Sequence, residues 1–328
     1  MNLLVLGGTQ FIGPHIVHAL QEAGHHVTIF NRGKTPDTLQ HVTRLQGDRV
    51  ETELSALQGL SFDATVDLSA YLPRSVRETI ETLADPGFYC FVSTISVYSD
   101  TATPFQTEDA PVATLQTPEV EEITGDTYGG LKALCETTVR AATPRHCILR
   151  PGLVVGPGDV TDRFTYWVVK AAQEKKIVAP DSSMTPMQWI DVRDLARFAV
   201  KAIEEEVTGT FNLVTPPESR TLGDVLQQAS ALTGNEPEIV WLSVEQVEEL
   251  ELQPWLDFPG WLPPTGESGG LMRTSSQKAI TAGLEISSTE STVKALWDWW
   301  TSRPKEKQVL TRGLAPEREQ EILQTLSR

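Results

Sequence analysis

Tyr128 and Lys132 stand four residues apart in the run TYGGLKALCE, residues 127–136. At helical pitch that spacing places both side chains on one face. A tyrosine of ordinary pKa, near 10, is a poor acid–base group at neutral pH. An ammonium beside it favours the phenolate and lowers that pKa, which makes proton exchange with a carbonyl oxygen feasible. Upstream, a strand-like apolar run ends in STISVYS (93–99), where the Thr94 hydroxyl can donate a hydrogen bond to the same oxygen. Alone, a Tyr and a Lys four apart make an ordinary solvated helix surface. They gain meaning from a third stretch.

That stretch is LVLGGTQFIGPHIVH, residues 3–17. An apolar strand enters Gly7-Gly8, and Gly13 opens a helical pattern. Strand, glycine turn and helix N-terminus together offer backbone N–H groups and the positive helix end to a pyrophosphate. Gly7 permits the tight turn, and Gly13 lets helix and strand pack closely. Gln10 holds the place where a further glycine is usual, and its Cβ hinders close approach. Either Gly8 provides the approach, or the Gln10 amide donates to a phosphate. The next strand ends in IFNRGKT. An acid there would bind the ribose hydroxyls of NAD, whereas Asn31, Arg32 and Lys34 suit a 2′-phosphate. NADP is the expected cofactor, with NAD as the alternative.

The elements that must position these groups alternate. Strands are expected at 3–6, 26–30, 42–45, 63–69 and 88–93, with helices following Gly13 and over 74–84. After Lys132 a helix runs to about Ala142, followed by a strand at 146–150. This alternation predicts an α/β fold, a Rossmann-type doubly wound parallel sheet. From 157 the pattern becomes irregular. A helix at 191–205 and a strand at 209–214 return to the sheet, and residues 221–233 read as helix. The expected organisation is a nucleotide-binding domain over 1–156 with 189–214 returning to it. A smaller C-terminal α/β substrate domain takes 157–188 and 215–301. A charged tail over 302–328 carries Pro316, placed to start a short helix. The Pro-, Gly- and Trp-rich stretch 252–270 reads as a structured loop. Its Trp255 and Trp261 either cover an apolar substrate or fill the second domain's core.

Taken together, the motifs resemble the short-chain dehydrogenase/reductase superfamily in its extended epimerase/dehydratase form, over residues 1–300. STISVYS is similar to the family's strand-end motif, with Thr94 at the catalytic position, and YGGLK matches its Tyr-x-x-x-Lys. LRPGLVVGPGD (149–159) resembles the segment that lines the nicotinamide, which brings in Pro151, and WIDVRDLA (189–196) resembles the stretch returning to the sheet. The match implies that Asp48 meets the adenine, that Leu68, Ser69 and Ala70 line the cofactor, and that Lys132 also holds the nicotinamide ribose. Residues 7–13 are similar to a branch whose loop reads Gly-Gly-Thr-x-Phe-x-Gly. That branch includes reductases, sugar dehydratases and chloroplast stem-loop RNA-binding proteins. Gln10 is then a branch feature, and Thr9, Phe11 and Ile12 join Gly7 as cofactor contacts.

Two departures set this chain apart from nucleotide-sugar epimerases. Where those enzymes place an Asn and an Arg on the substrate diphosphate, this chain has Leu153 and Met187. An apolar side chain cannot replace a charge-assisted bond to phosphate. Arg163 or Gln188 could compensate, or both could be structural. The expected substrate is therefore a small carbonyl or hydroxyl compound, transformed by hydride transfer, with Tyr128 as acid/base and Thr94 as polariser. A nucleotide-bound sensor or scaffold with little activity, and an RNA-binding protein, are the alternatives.

The 328 residues carry a formal net charge of −17, which repels RNA and anionic membranes on average. No nucleic-acid or membrane partner is expected, and a homodimer is one assembly open to the chain. The N-terminus lacks a basic region followed by an apolar core, and no apolar run approaches a membrane span. Three scattered cysteines suit neither a disulfide framework nor a zinc site, so a cytoplasmic location and no metal are expected. All six histidines lie at or before His146, so any general acid must come from another residue type.

Overall fold

A computed structural model describes residues 1–36 and 38–326; the last two residues of the charged tail, Ser327 and Arg328, lie outside it. The first half alternates as β1 (Asn2–Leu6), α1 (Ile12–Glu22), β2 (His26–Asn31), β3 (Val42–Gln46), β4 (Ala64–Asp67), α2 (Pro73–Thr82), β5 (Phe88–Val92), α3 (Gly125–Ala142) and β6 (His146–Pro151). There follow β7 (Leu153–Val155), α4 (Thr165–Gln173), β8 (Lys176–Pro180), β9 (Trp189–Asp191), α5 (Val192–Glu204), β10 (Gly209–Leu213), α6 (Leu222–Thr233) and β11 (Glu238–Leu242). The last helices are α7 (Val244–Glu249), α8 (Gln277–Thr281), α9 (Thr289–Ser302) and α10 (Pro316–Leu326).

Seven strands form one sheet in the order β10-β6-β5-β4-β1-β2-β3, and every ladder in it is parallel. Central β4 and β5 are buried along their whole length, as strands covered by helices on both faces must be. Edge strand β3 is half exposed. After β3 the chain crosses back to place β4 beside β1. The carboxyl ends of β1 and β4 thus send their loops apart, opening the crevice in which such sheets bind ligands. The strand expected at 209–214 does return, as β10 beside β6.

A second core gathers beyond β6, around Phe164, Trp167, Trp189, Phe258 and Trp261. The pairs β7–β9 and β8–β11 frame it. Sequence periodicity read this region as irregular from 157, yet α4 and β8 are both regular. Their residues are buried nearly throughout, so no polar face reveals a period. Trp261 is core, in edge contact with Phe258, whereas Trp255 is half-buried at the core's edge. Pro316 does open a helix, and α10 packs Ile322 into the second core. Buried Glu319 pairs with Lys170 and accepts the Val178 N–H at 3.0 Å. The charged C-terminal stretch is thereby strapped to the body. No helix among the described residues is long and apolar enough to cross a membrane.

Candidate functional site

The glycine loop leaves β1 and delivers the chain to α1. Phe11, at the N-cap, has φ 38°, which is uncommon for a residue with a Cβ. No side chain caps α1 and its first turn holds no acid, so its free N–H groups and positive end face the cleft unopposed. A Cβ on Gly13 would overlap the Gly8 backbone, so this glycine sets how tightly the turn folds on the helix. The Gln10 amide has a partner within the protein. It donates to Thr35 Oγ1 at 3.2 Å, tying the glycine loop to the loop after β2.

These loops border a cleft of about 680 Å³. From the glycine loop, Gly7, Thr9, Gln10, Phe11 and Ile12 line it. Asn31, Arg32 and Lys34 come from the end of β2, Asp48 from beyond β3, and Leu68 and Ser69 from beyond β4. Arg32 and Lys34 are exposed and have no acidic partner among the described residues. The cleft's volume and its bare helix end fit a dinucleotide. Ala70, Pro151, Tyr128 and Lys132 do not line this cavity; Ala70 and Pro151 are buried.

Beneath the cleft lies a buried ion pair that sequence reasoning missed. The Arg49 guanidinium donates to both Asp67 oxygens, at 2.7 and 2.8 Å. It also reaches Thr79 Oγ1, Ser69 Oγ and the Ser75 carbonyl. Asp67 accepts in addition from the Tyr89 hydroxyl and from the N–H groups of Ser69 and Ala70. Burial would push this carboxyl up, but Arg49 and Tyr89 hold it below its usual value. One carboxylate thus fixes the loop Leu68 to Ala70, whose first two residues line the cleft. The signal was legible: Asp67 is a lone charge in the run ATVDLS, residues 64–69.

Tyr128 and Lys132 lie on α3, which begins at Gly125, capped reciprocally by Thr124 and Thr127. This start precedes Tyr128, whereas the sequence reading placed the helix after Lys132. Gly129 explains where the helix sits. A Cβ there would overlap the Ser96 carbonyl, so only glycine lets α3 press against the turn that carries Thr94. The Thr94 hydroxyl caps that turn, accepting from the Ser96 N–H at 3.1 Å. Tyr128 is half-buried beside Tyr71, which lines the cleft, with ring centroids 6.1 Å apart.

The expected role of Lys132 on the phenol is not what the structure shows. Its ammonium is 3% exposed and donates to the Ala70 and Val92 carbonyls at 2.9 and 2.7 Å. It also sits 4.2 Å over the Phe91 ring. Burial and the neighbouring Tyr71 phenol raise the Tyr128 pKa, while the Thr94 hydroxyl and Arg163 pull it down only in part. Lys132 itself is lowered by burial to about 8. The phenol is therefore held protonated, and the lysine ties the ends of the β4 and β5 segments together.

One turn further along α3, Glu136 is fully buried. It takes Arg150 Nε at 2.9 Å and Nη2 at 2.7 Å, and the Ser93 hydroxyl at 2.6 Å. Arg150 continues to the Tyr98 hydroxyl, which donates to Asn212. Burial opposes the Glu136 charge, but Arg150 and Ser93 keep its pKa below the usual carboxylate value. The network clamps the β5 end on both sides of Thr94. Its clue was again a charge, Arg150, closing the apolar run HCILR.

Of the substrate candidates, Leu153 is buried in the second core. Gln188 is not free to meet a ligand: its amide donates to the Thr215 and Thr274 carbonyls at 2.6 and 2.8 Å and accepts the Thr274 N–H at 3.0 Å. Both its N–H donors are spent on buried backbone, which leaves none for a phosphate. Arg163 is half-buried, its Nε donating to Thr161 Oγ1 at 3.0 Å. Its guanidinium lies 5.7 Å over the Trp255 ring. Among the described residues, no cluster of His, Cys, Asp and Glu could hold a metal ion.

Residues 3–213 match the model of the NAD dependent epimerase/dehydratase family. The chain is 26% identical over 261 residues to chloroplast stem-loop binding protein of 41 kDa b of Arabidopsis thaliana, covering 73% of this chain and 65% of that one. The chain thus spans just under two thirds of that relative's length. It is 29% identical over 218 residues to 2-alkyl-3-oxoalkanoate reductase of Stenotrophomonas maltophilia, covering 60% and 64%. A UDP-glucuronic acid 4-epimerase from Bacillus cereus, solved with NAD, shares the fold with a TM-score of 0.66 at 17% identity. That likeness covers 95% of this chain and all of that one.

Proposed function

The chain belongs to the NAD-dependent epimerase/dehydratase family, and on that premise we propose that it is an NADP-dependent reductase of a small carbonyl compound. When bound, the nicotinamide supplies the hydride. The protein's own residues do the rest. Tyr128 donates the proton to the carbonyl oxygen, Thr94 orients that oxygen, and Lys132 holds the end of the cleft where the ribose would lie. The observation that carries this reading is the placement of Tyr128, which α3 seats against the turn that carries Thr94 and beside Tyr71 of the cleft. In reduction the phenol would give its proton to the carbonyl oxygen as negative charge develops there. Arg32 and Lys34 favour NADP over NAD. Apolar Leu153 and Met187, and a fully engaged Gln188, leave little to hold a sugar nucleotide's diphosphate.

Purified protein should consume NADPH faster than NADH with at least one member of a panel of ketones, aldehydes and 3-oxo acids. Binding of NADPH without turnover of any panel member would favour a sensor instead. The Arabidopsis relative's name raises RNA binding for this chain. At −17 formal charge, no salt-sensitive complex with structured RNA is expected in filter-binding titrations.

A further inference from the structure

Arg163 is a cation that the fold positions without an ion pair among the described residues. Its Nε is fixed on Thr161 Oγ1, and Thr161 is fixed in turn by N–H and O–H bonds to Asp159 Oδ1 at 2.8 and 2.6 Å. Trp255 supports one face of the guanidinium. Neither terminal nitrogen has a protein partner among the described residues; Thr161 lines the cleft, and Arg163 lies near enough to Tyr128 for its charge to act on the phenol. The C-terminal strap brings a second cation. Thr311 donates to Asp162 Oδ2 through its N–H at 2.9 Å and its hydroxyl at 2.8 Å. That anchor holds the neighbouring Arg312 near enough for its charge to act on Arg163.

A chain with 44 acidic residues against 27 basic ones thus brings two like charges within electrostatic reach here. Burial already disfavours the Arg163 charge. Asp159 is the acid whose charge favours Arg163; it is fully buried with Oδ2 unpartnered, and burial raises its pKa. An anion arriving beside Tyr128 would relieve this arrangement. A planar fork with two free terminal nitrogens matches a carboxylate bidentately. A diphosphate would need further donors, and Leu153, Met187 and Gln188 supply none.

We propose that Arg163, assisted by Arg312 of the C-terminal strap, binds a carboxylate of the substrate, so that the compound reduced at Tyr128 is an oxo acid. The substrate class rests on the reductase reading; the anion site itself does not.

Ligand-observed NMR on the full chain with NADP present tests it, using butanoate and its uncharged counterpart butanamide. Butanoate should bind about tenfold tighter or more, the range of a charge-assisted pair. Arg163→Gln should erase that preference while leaving NADP affinity unchanged. Arg163→Lys should keep part of it, and Arg312→Ala should weaken butanoate severalfold. Equal affinity for the two probes in wild type, or an undiminished preference in a folded Arg163→Gln variant, overturns the proposal. Inorganic phosphate displacing butanoate at lower concentration overturns the carboxylate assignment. If butanoate binds through Arg163 while no carbonyl compound is reduced, the site stands and the reductase reading fails. If carbonyl compounds are reduced but acetoacetate is no better a substrate than its methyl ester, the reductase reading stands and the oxo-acid assignment fails.

Discussion

Gly129 and the Ser96 carbonyl lie so close that a Cβ at position 129 would overlap the oxygen. This contact seats α3 against the strand-end turn and brings Tyr128 to Thr94. Gly129→Ala must therefore push the helix away. Turnover should fall by about 10²-fold, the cost of a misplacement on the order of 1 Å, with NADP affinity little changed. Steady-state kinetics beside cofactor titration checks this. Unchanged turnover would mean that the Tyr128–Thr94 approach is not what the reaction needs.

Arg49 and Asp67 make a second local prediction. Arg49→Leu leaves a fully buried carboxylate unpaired, so stability should drop by about 3–5 kcal/mol in denaturant unfolding. The pH dependence follows from the depressed Asp67 pKa. Its contribution is fully present above the unfolded value of 3.8 and is lost as pH falls through the lower folded value. Wild type should lose stability across that acid window, and Arg49→Leu should lose less.

Lys132 titrates in the opposite direction. Burial lowers it from 10.5 to about 8, so between those values the unfolded chain keeps a proton that the folded one has shed. Below about 8 the cost of burying the ammonium is fully present, and stability from this group rises with pH through the window. If the ammonium also holds the ribose, NADP affinity should weaken above about pH 8 in wild type and stay flat in Lys132→Met. A flat wild-type profile would remove Lys132 from cofactor binding.

Much of this was legible in the sequence. The strands of the sheet, the loop at Gly7–Gly13 and the Tyr128–Lys132 spacing follow from period and glycine placement. The start of α3 was not, because paired glycines at 129 and 130 read as breakers, whereas here Gly129 serves helix packing. Lys132 was misread because spacing fixes a helix face but not burial. Once α3 docks, its ammonium points under the sheet ends and cannot tune the phenol. The strap from 302 escaped notice because its buried residues, Leu314, Glu319 and Ile322, are thinly spread among charges.

Arg32 and Lys34 face the cleft with no acid among the described residues to neutralise them. Calorimetry on Arg32→Ala should show NADPH binding weakened about tenfold or more while NADH binding scarcely moves. A wild-type preference for NADH would reverse the cofactor assignment.

Tyr128→Phe tests the central claim most directly, because it removes one hydroxyl and keeps the ring against Tyr71. Single-turnover reduction of an accepted carbonyl compound should slow by about 10²–10⁴-fold, the usual share of a positioned proton donor, with NADPH affinity unchanged. In wild type, the rate of that step should show no ionisation below the ordinary tyrosine range that is lost in the Phe variant, since the phenol is held protonated. Full-speed reduction by Tyr128→Phe would contradict the account, leaving Tyr128 as packing and the proton to come from elsewhere.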